Sequence, residues 1–114
     1  MTDNFPRHGE IWLACFDPAT GSEYKGTRPA LIIQNDIGNK HSRVTIVAAI
    51  TTNLFQNPIT VFINPKESGL KEDSVIKLNQ IFTMDKSRLI KKIGILNDQK
   101  IKDVKEALKL SLNI

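Results

Sequence analysis

Thr27-Arg28-Pro29-Ala30-Leu31-Ile32-Ile33 sets one cation ahead of a short apolar run, and Gln34-Asn35-Asp36-Ile37-Gly38-Asn39 follows with residues that prefer turns. Proline biases Arg28 toward extended backbone, so the arginine is expected at a loop-to-strand junction. A run this short, bounded by turn formers, reads as a buried strand. The same punctuation recurs in both directions along the chain. Five or six apolar runs, at about residues 10–16, 29–34, 43–51, 59–64, 74–83 and 93–96, are separated by Gly, Pro, Asn and Asp. Only the C-terminus carries a strong helical period. Asn97 is a good N-cap, Asp98 sits at the positive end of the dipole, and Ile101, Val104, Leu108 and Leu112 recur at three- and four-residue steps as an expected core-facing stripe running to about Ser111. The pattern predicts a mainly β fold with a C-terminal helix, built as a small, strongly curved antiparallel sheet or barrel. Met84 to Leu89 is expected to add one helical turn, and Thr52 to Pro58 to form a mobile loop.

With 114 residues, of which 40% are hydrophobic, one domain spanning 1–114 and one modest core are expected. The net charge of +4 is uneven: residues 1–65 carry five basic and five acidic side chains, whereas residues 66–114 carry eleven and seven. Lys86, Arg88, Lys91 and Lys92 form the densest basic cluster, which fits either a solvated face or contact with a nucleic-acid backbone. Cys15 is the only cysteine, so no internal disulfide can form, and a reducing cytoplasm fits best. Its place in Ile11-Trp12-Leu13-Ala14-Cys15-Phe16 suggests a small buried hydrophobe. His8 and His41 without a second thiol do not make a zinc site, and no metal or cofactor is expected. The segment Met1-Thr2-Asp3-Asn4-Phe5-Pro6 lacks the apolar core of a signal peptide, and no run is long enough to span a bilayer.

Val44 to Ile50 reads as a nearly continuous buried strand ending in Thr51-Thr52. If it runs antiparallel beside the strand that starts at Pro29, Arg28 and Thr51 come to the same edge of the sheet. A guanidinium there matches phosphate oxygens in a bidentate way and stays charged near neutral pH. An arginine before a strand is more often a surface ion-pair partner, and a lone strand threonine is usually structural, so neither residue alone assigns a function. Standard catalytic sets are missing: no Ser/His/Asp set, no thiol with a partner His, no carboxylate cluster for magnesium, no glycine-rich phosphate loop. One chemistry left open is RNA cleavage by the substrate's own 2′-hydroxyl, which asks the protein only to align the attack, stabilise phosphate charge and assist proton transfer. Arg28 and Thr51 can supply the first two. Glu23 is the nearest candidate proton acceptor.

Taken in order, Gly9-Glu10-Ile11-Trp12, Asp17-Pro18, Gly21-Ser22-Glu23, Thr27-Arg28-Pro29, Ile33-Gln34-Asn35-Asp36, Ala48-Ala49-Ile50-Thr51, Ser74-Val75, Gln80-Ile81, Thr83, Asp85-Lys86 and Arg88-Leu89 resemble the MazF/PemK toxins over about residues 7–112. The resemblance implies a CcdB-like, SH3-like small barrel that works as a homodimer. It further implies a sequence-specific, metal-independent endoribonuclease acting on single-stranded RNA and neutralised by a MazE-like antitoxin. The family's catalytic arginine and threonine fall on Arg28 and Thr51. Its RNA-lining positions fall on the first loop, here Ser22, Glu23, Tyr24 and Lys25, and on Gln80. The chain departs from the family pattern at Tyr24-Lys25 and at Phe82, where close relatives tend to carry Arg. Phe82 therefore either stacks on an RNA base or faces the core, since Ile81 and Phe82 must point to opposite sides of a strand. The alternative is a CcdB-like toxin that poisons a topoisomerase by protein contact, which would need neither Arg28 nor Thr51.

Overall fold

The computed structural model describes residues 4–16 and 26–114. Six strands, β1 (Glu10–Phe16), β2 (Gly26–Ile32), β3 (Val44–Thr51), β4 (Thr60–Ile63), β5 (Ser74–Asp85) and β6 (Leu89–Ile95), form one sheet in the order β4-β5-β3-β2-β1-β6. Every neighbouring pair is antiparallel. Three helices accompany it: α1 (Asp36–His41), α2 (Pro65–Ser68) and α3 (Asp98–Leu112), with a 3-10 turn at Lys86–Arg88. All six apolar runs are strands, and the short turn after Met84 is present. Segment 52–59 holds no helix or strand.

Side-chain alternation divides the apolar residues between two clusters. Ile11, Leu31, Ala48, Ile50, Ile63, Ile76 and Leu78 form the larger one, with Val104 and Ala107 of α3 packed into it and Ile101 and Leu108 at its margin. Leu112 is 51% exposed and lies outside it. The helix packs on β4 and β5, and the part of the expected stripe that meets the core ends at Leu108. Asn97 caps α3 as expected, its side chain accepting from the Lys100 N–H at 2.8 Å. The second cluster holds Ala14, Phe16, Ala30, Ile32, Val47, Ala49 and Met84, with Trp12, Phe82 and Leu89 partly buried against it. Trp12, Ala14 and Phe16 point to this side, which puts Cys15 on the opposite one, beyond the main core. Cys15 is exposed, not buried.

α2 closes the curl of the sheet. It follows β4 after Asn64, whose side chain accepts from the Glu67 N–H while Glu67 accepts from the Asn64 N–H, a reciprocal cap with Pro65 at the first helical position. Its C-cap, Gly69, has φ 81°, and a Cβ there would stand 2.7 Å from the Ile93 carbonyl oxygen of β6. A Cβ on Gly94 would overlap the Ser68 carbonyl oxygen. Two glycines thus let the backbone from one end of the sheet lie directly against the strand at the other end.

Candidate active site

β2 begins at Gly26, three residues earlier than the apolar run suggests, because the β1–β2 ladder continues to Phe16↔Gly26. Arg28 consequently sits within the strand, paired with Ala14, and its backbone is held by that ladder as well as by Pro29. The β2–β3 ladder starts only at Ala30↔Ala49, which leaves Pro29 on a half-edge where a missing N–H is tolerated. Carrying that register two residues further sets Arg28 opposite Thr51, on the same face. The expected antiparallel pairing of these strands is therefore present.

Arg28 and Thr51 line one cavity of about 750 Å³. Its floor comes from Leu13, Pro29 and Ile50, one wall from residues 69–72 after α2, and another from Lys91, Lys92 and Ile93 of β6. The Gly69 and Gly94 contacts place those two walls side by side. Thr51 is half-buried, and its Oγ1 accepts from the Asn53 N–H at 3.1 Å. A hydroxyl has one hydrogen to give, so this leaves the Thr51 O–H as a donor toward a ligand oxygen. Gln80 also lines the cavity. It gets there through an irregularity: Ala48 pairs with Ile81 but Ala49 pairs with Lys77, so Leu78, Asn79 and Gln80 bulge from the β5 ladder.

Among the described residues, the lining carries Arg28, Lys71, Lys77, Lys91 and Lys92 against Glu72. Lys92 is committed to Glu10, at 3.1 Å, whose carboxylate also accepts from the Trp12 indole N–H at 2.8 Å and the Arg7 N–H at 2.9 Å. Such a lining favours a polyanion. Arg28, Thr51 and Gln80 are brought together, whereas Phe82 is not a lining residue. Its ring meets Phe16 edge-on at 5.2 Å and 75°, on the second cluster. Ser22, Glu23, Tyr24 and Lys25 lie outside the described residues.

Other motif pieces prove structural. Gln34-Asn35-Asp36-Ile37-Gly38-Asn39 was expected as a turn but contains α1, with Asn35 as its N-cap accepting from the Gly38 N–H at 2.8 Å. The buried Asn39 side chain accepts from Thr45 Oγ1 at 2.7 Å and from Gln34 Nε2 at 3.0 Å, and donates to the Gln34 carbonyl at 2.9 Å. Lys86 of the basic cluster donates to the Asn39 carbonyl at 2.6 Å. Asp85 accepts from the Ser87 N–H at 2.9 Å, a bond that holds its carboxyl below the usual range, and Arg43 pairs with it at 3.3 Å.

Residues 7–112 match the family described as PemK-like, MazF-like toxins of type II toxin-antitoxin systems. The chain belongs to this toxin family. A curated relative, Endoribonuclease MazF of Staphylococcus saprophyticus, is 47% identical over 110 residues, covering 95% of this chain and 92% of the relative. The fold is similar to that of MazF from Deinococcus radiodurans, with a TM-score of 0.82 at 21% identity over 98% of this chain and 100% of the other. It is also similar to a mycobacterial endoribonuclease solved in complex with its cognate antitoxin, with a TM-score of 0.80 at 21% identity and 96% of each chain covered. The small curled barrel expected of a MazF-type toxin is thus the observed architecture.

Proposed function

We propose that this MazF-family toxin is a sequence-specific endoribonuclease that cuts single-stranded RNA, mRNA included, through attack of the substrate's own 2′-hydroxyl. The observation that carries this reading is that Arg28 and Thr51 line one cavity whose described charged residues are Arg28, Lys71, Lys77, Lys91 and Lys92 against Glu72. The 2′-oxygen attacks the adjacent phosphorus as the bond to the 5′-oxygen breaks, leaving a 2′,3′-cyclic phosphate and a 5′-hydroxyl. Arg28 holds two phosphate oxygens through its planar fork, and the Thr51 O–H donates to charge that builds on the phosphate in the transition state. The 2′-hydroxyl proton passes to a base, for which Glu23 is the candidate, and the leaving oxygen takes up a proton. Charge stabilisation falls to Arg28, whose guanidinium stays charged near neutral pH, and the reaction needs no metal. Ser22, Glu23, Tyr24, Lys25 and Gln80 read the substrate.

As an endoribonuclease toxin, the protein is held in check by a cognate MazE-like antitoxin, in keeping with the mycobacterial relative solved with its own. It acts in the cytoplasm, where mRNA is available. No helix among the described residues is long and apolar enough to cross a membrane. A CcdB-like action on a topoisomerase makes no use of the Arg28 and Thr51 placement.

The test is to incubate purified protein with a long defined RNA in EDTA and map the 5′ ends. Discrete cuts ending in 5′-hydroxyls are expected, and a single-stranded DNA of the same sequence survives. Equal cutting of an RNA whose target nucleotide carries a 2′-methoxy group overturns the mechanism.

A further inference from the structure

Five consecutive strands of the sheet each bring a residue to the cavity: Lys77 from β5, Thr51 from β3, Arg28 from β2, Leu13 from β1 and Lys91 from β6. Lys77 interrupts the apolar sequence Val75-Ile76-Lys77-Leu78, whose other members are fully buried. It is itself half-buried, and it has no ion-pair partner among the described residues. A lysine so placed has no counter-charge beside it among the described residues, and a bound anion would supply one. Thr51 pairs with Val75 and Ala49 with Lys77, so Lys77 is the diagonal neighbour of Thr51 on the same face, within reach of a long side chain. Lys91 stands on the far side of Arg28, paired with Leu13, which in turn pairs with Pro29. It too lacks an ion-pair partner among the described residues, in contrast to Lys92 beside it.

We propose that Lys77 and Lys91 are RNA-binding residues that hold backbone phosphates on either side of the one clamped by Arg28 and Thr51. The inference rests on the ribonuclease reading of this cavity. Four strand spacings separate the backbones of the two lysines, about 19 Å across a flat sheet. That is a span of several nucleotides. An acidic antitoxin segment would also attract lysines, but these two share their cavity with the cleavage pair, which favours RNA as the occupant.

Binding and cleavage of one RNA are to be followed across a range of KCl concentrations. A 2′-methoxy version of the RNA, read by fluorescence anisotropy, reports binding whether or not the protein cuts, so a failure of the cleavage reading is seen separately in the unmodified RNA. Lys77→Gln and Lys91→Gln are each expected to flatten the log–log salt dependence of binding by about 0.7, and the double variant by about 1.4. Lys102→Gln, on the exposed side of α3, controls for net charge and leaves the slope unchanged. Lys77→Arg keeps the charge and restores the slope, which guards against a folding defect in Lys77→Gln. Wild-type slopes in both glutamine variants overturn the proposal, as does a loss confined to antitoxin binding with RNA binding intact.

Discussion

Thr51 shows how little chemistry a side chain needs once its surroundings orient it. The Asn53 N–H occupies one lone pair of its hydroxyl, which lines one cavity with Arg28. Thr51→Val keeps the β-branched shape and removes the hydroxyl, both the donor and the acceptor of the Asn53 N–H, while Arg28→Lys keeps the charge and removes the fork. Each is expected to lower the single-turnover cleavage rate roughly a hundredfold with the melting temperature unchanged. Near-normal cleavage by Arg28→Lys would mean that bidentate phosphate geometry is not what matters. Phe82 separates two roles at the same scale. Its edge-on contact with Phe16 on the second cluster predicts that Phe82→Ala lowers stability by roughly 2 kcal/mol or more and leaves the cut sites where they were. A shifted cleavage motif at unchanged melting temperature would instead assign the ring to RNA.

Among the elements, the strands were the most legible, because each apolar run is short and bounded by turn formers, and α3 because its apolar period recurs over about three turns. The two short helices were missed for different reasons. α1 lies in a stretch whose Asn, Asp and Gly suit a turn equally well, and its existence depends on Asn39 finding Thr45 and Gln34 in the fold. α2 did carry a local signal, Asn64-Pro65-Lys66-Glu67, a capping box with proline at its start. The seam between α2 and β6 gives a prediction of its own. Gly94→Ala puts a methyl into the Ser68 carbonyl, where only backbone can yield, so the wall after α2 must move. A fall in melting temperature of about 5 °C or more, with weaker RNA cleavage, is expected by thermal melting and the mapping assay. A fully active Gly94→Ala of normal stability would show that the wall does not shape the site.

The whole molecule leaves apolar surface open, including Ile90 and Ile95 on β6 and Leu110, Leu112 and Ile114 at the C-terminus. A single small sheet with one packed helix cannot cover it all, and a two-fold partner is the economical solution. Sedimentation at micromolar concentration is expected to show a homodimer, and a clean monomer that still cuts RNA would contradict this. Strand positions, the C-terminal helix and the ordered motif pieces of a MazF-type toxin were written locally, in periodicity, in turn chemistry and in residue type, and so could be read from the sequence alone. The register that sets Arg28 against Thr51, the bulge that delivers Gln80, the glycine seam and the approach of Lys77 and Lys91 to one cavity depend on which strands become neighbours. Pairing between residues tens of positions apart is decided by the packing of the folded sheet, and it leaves no mark on either segment alone.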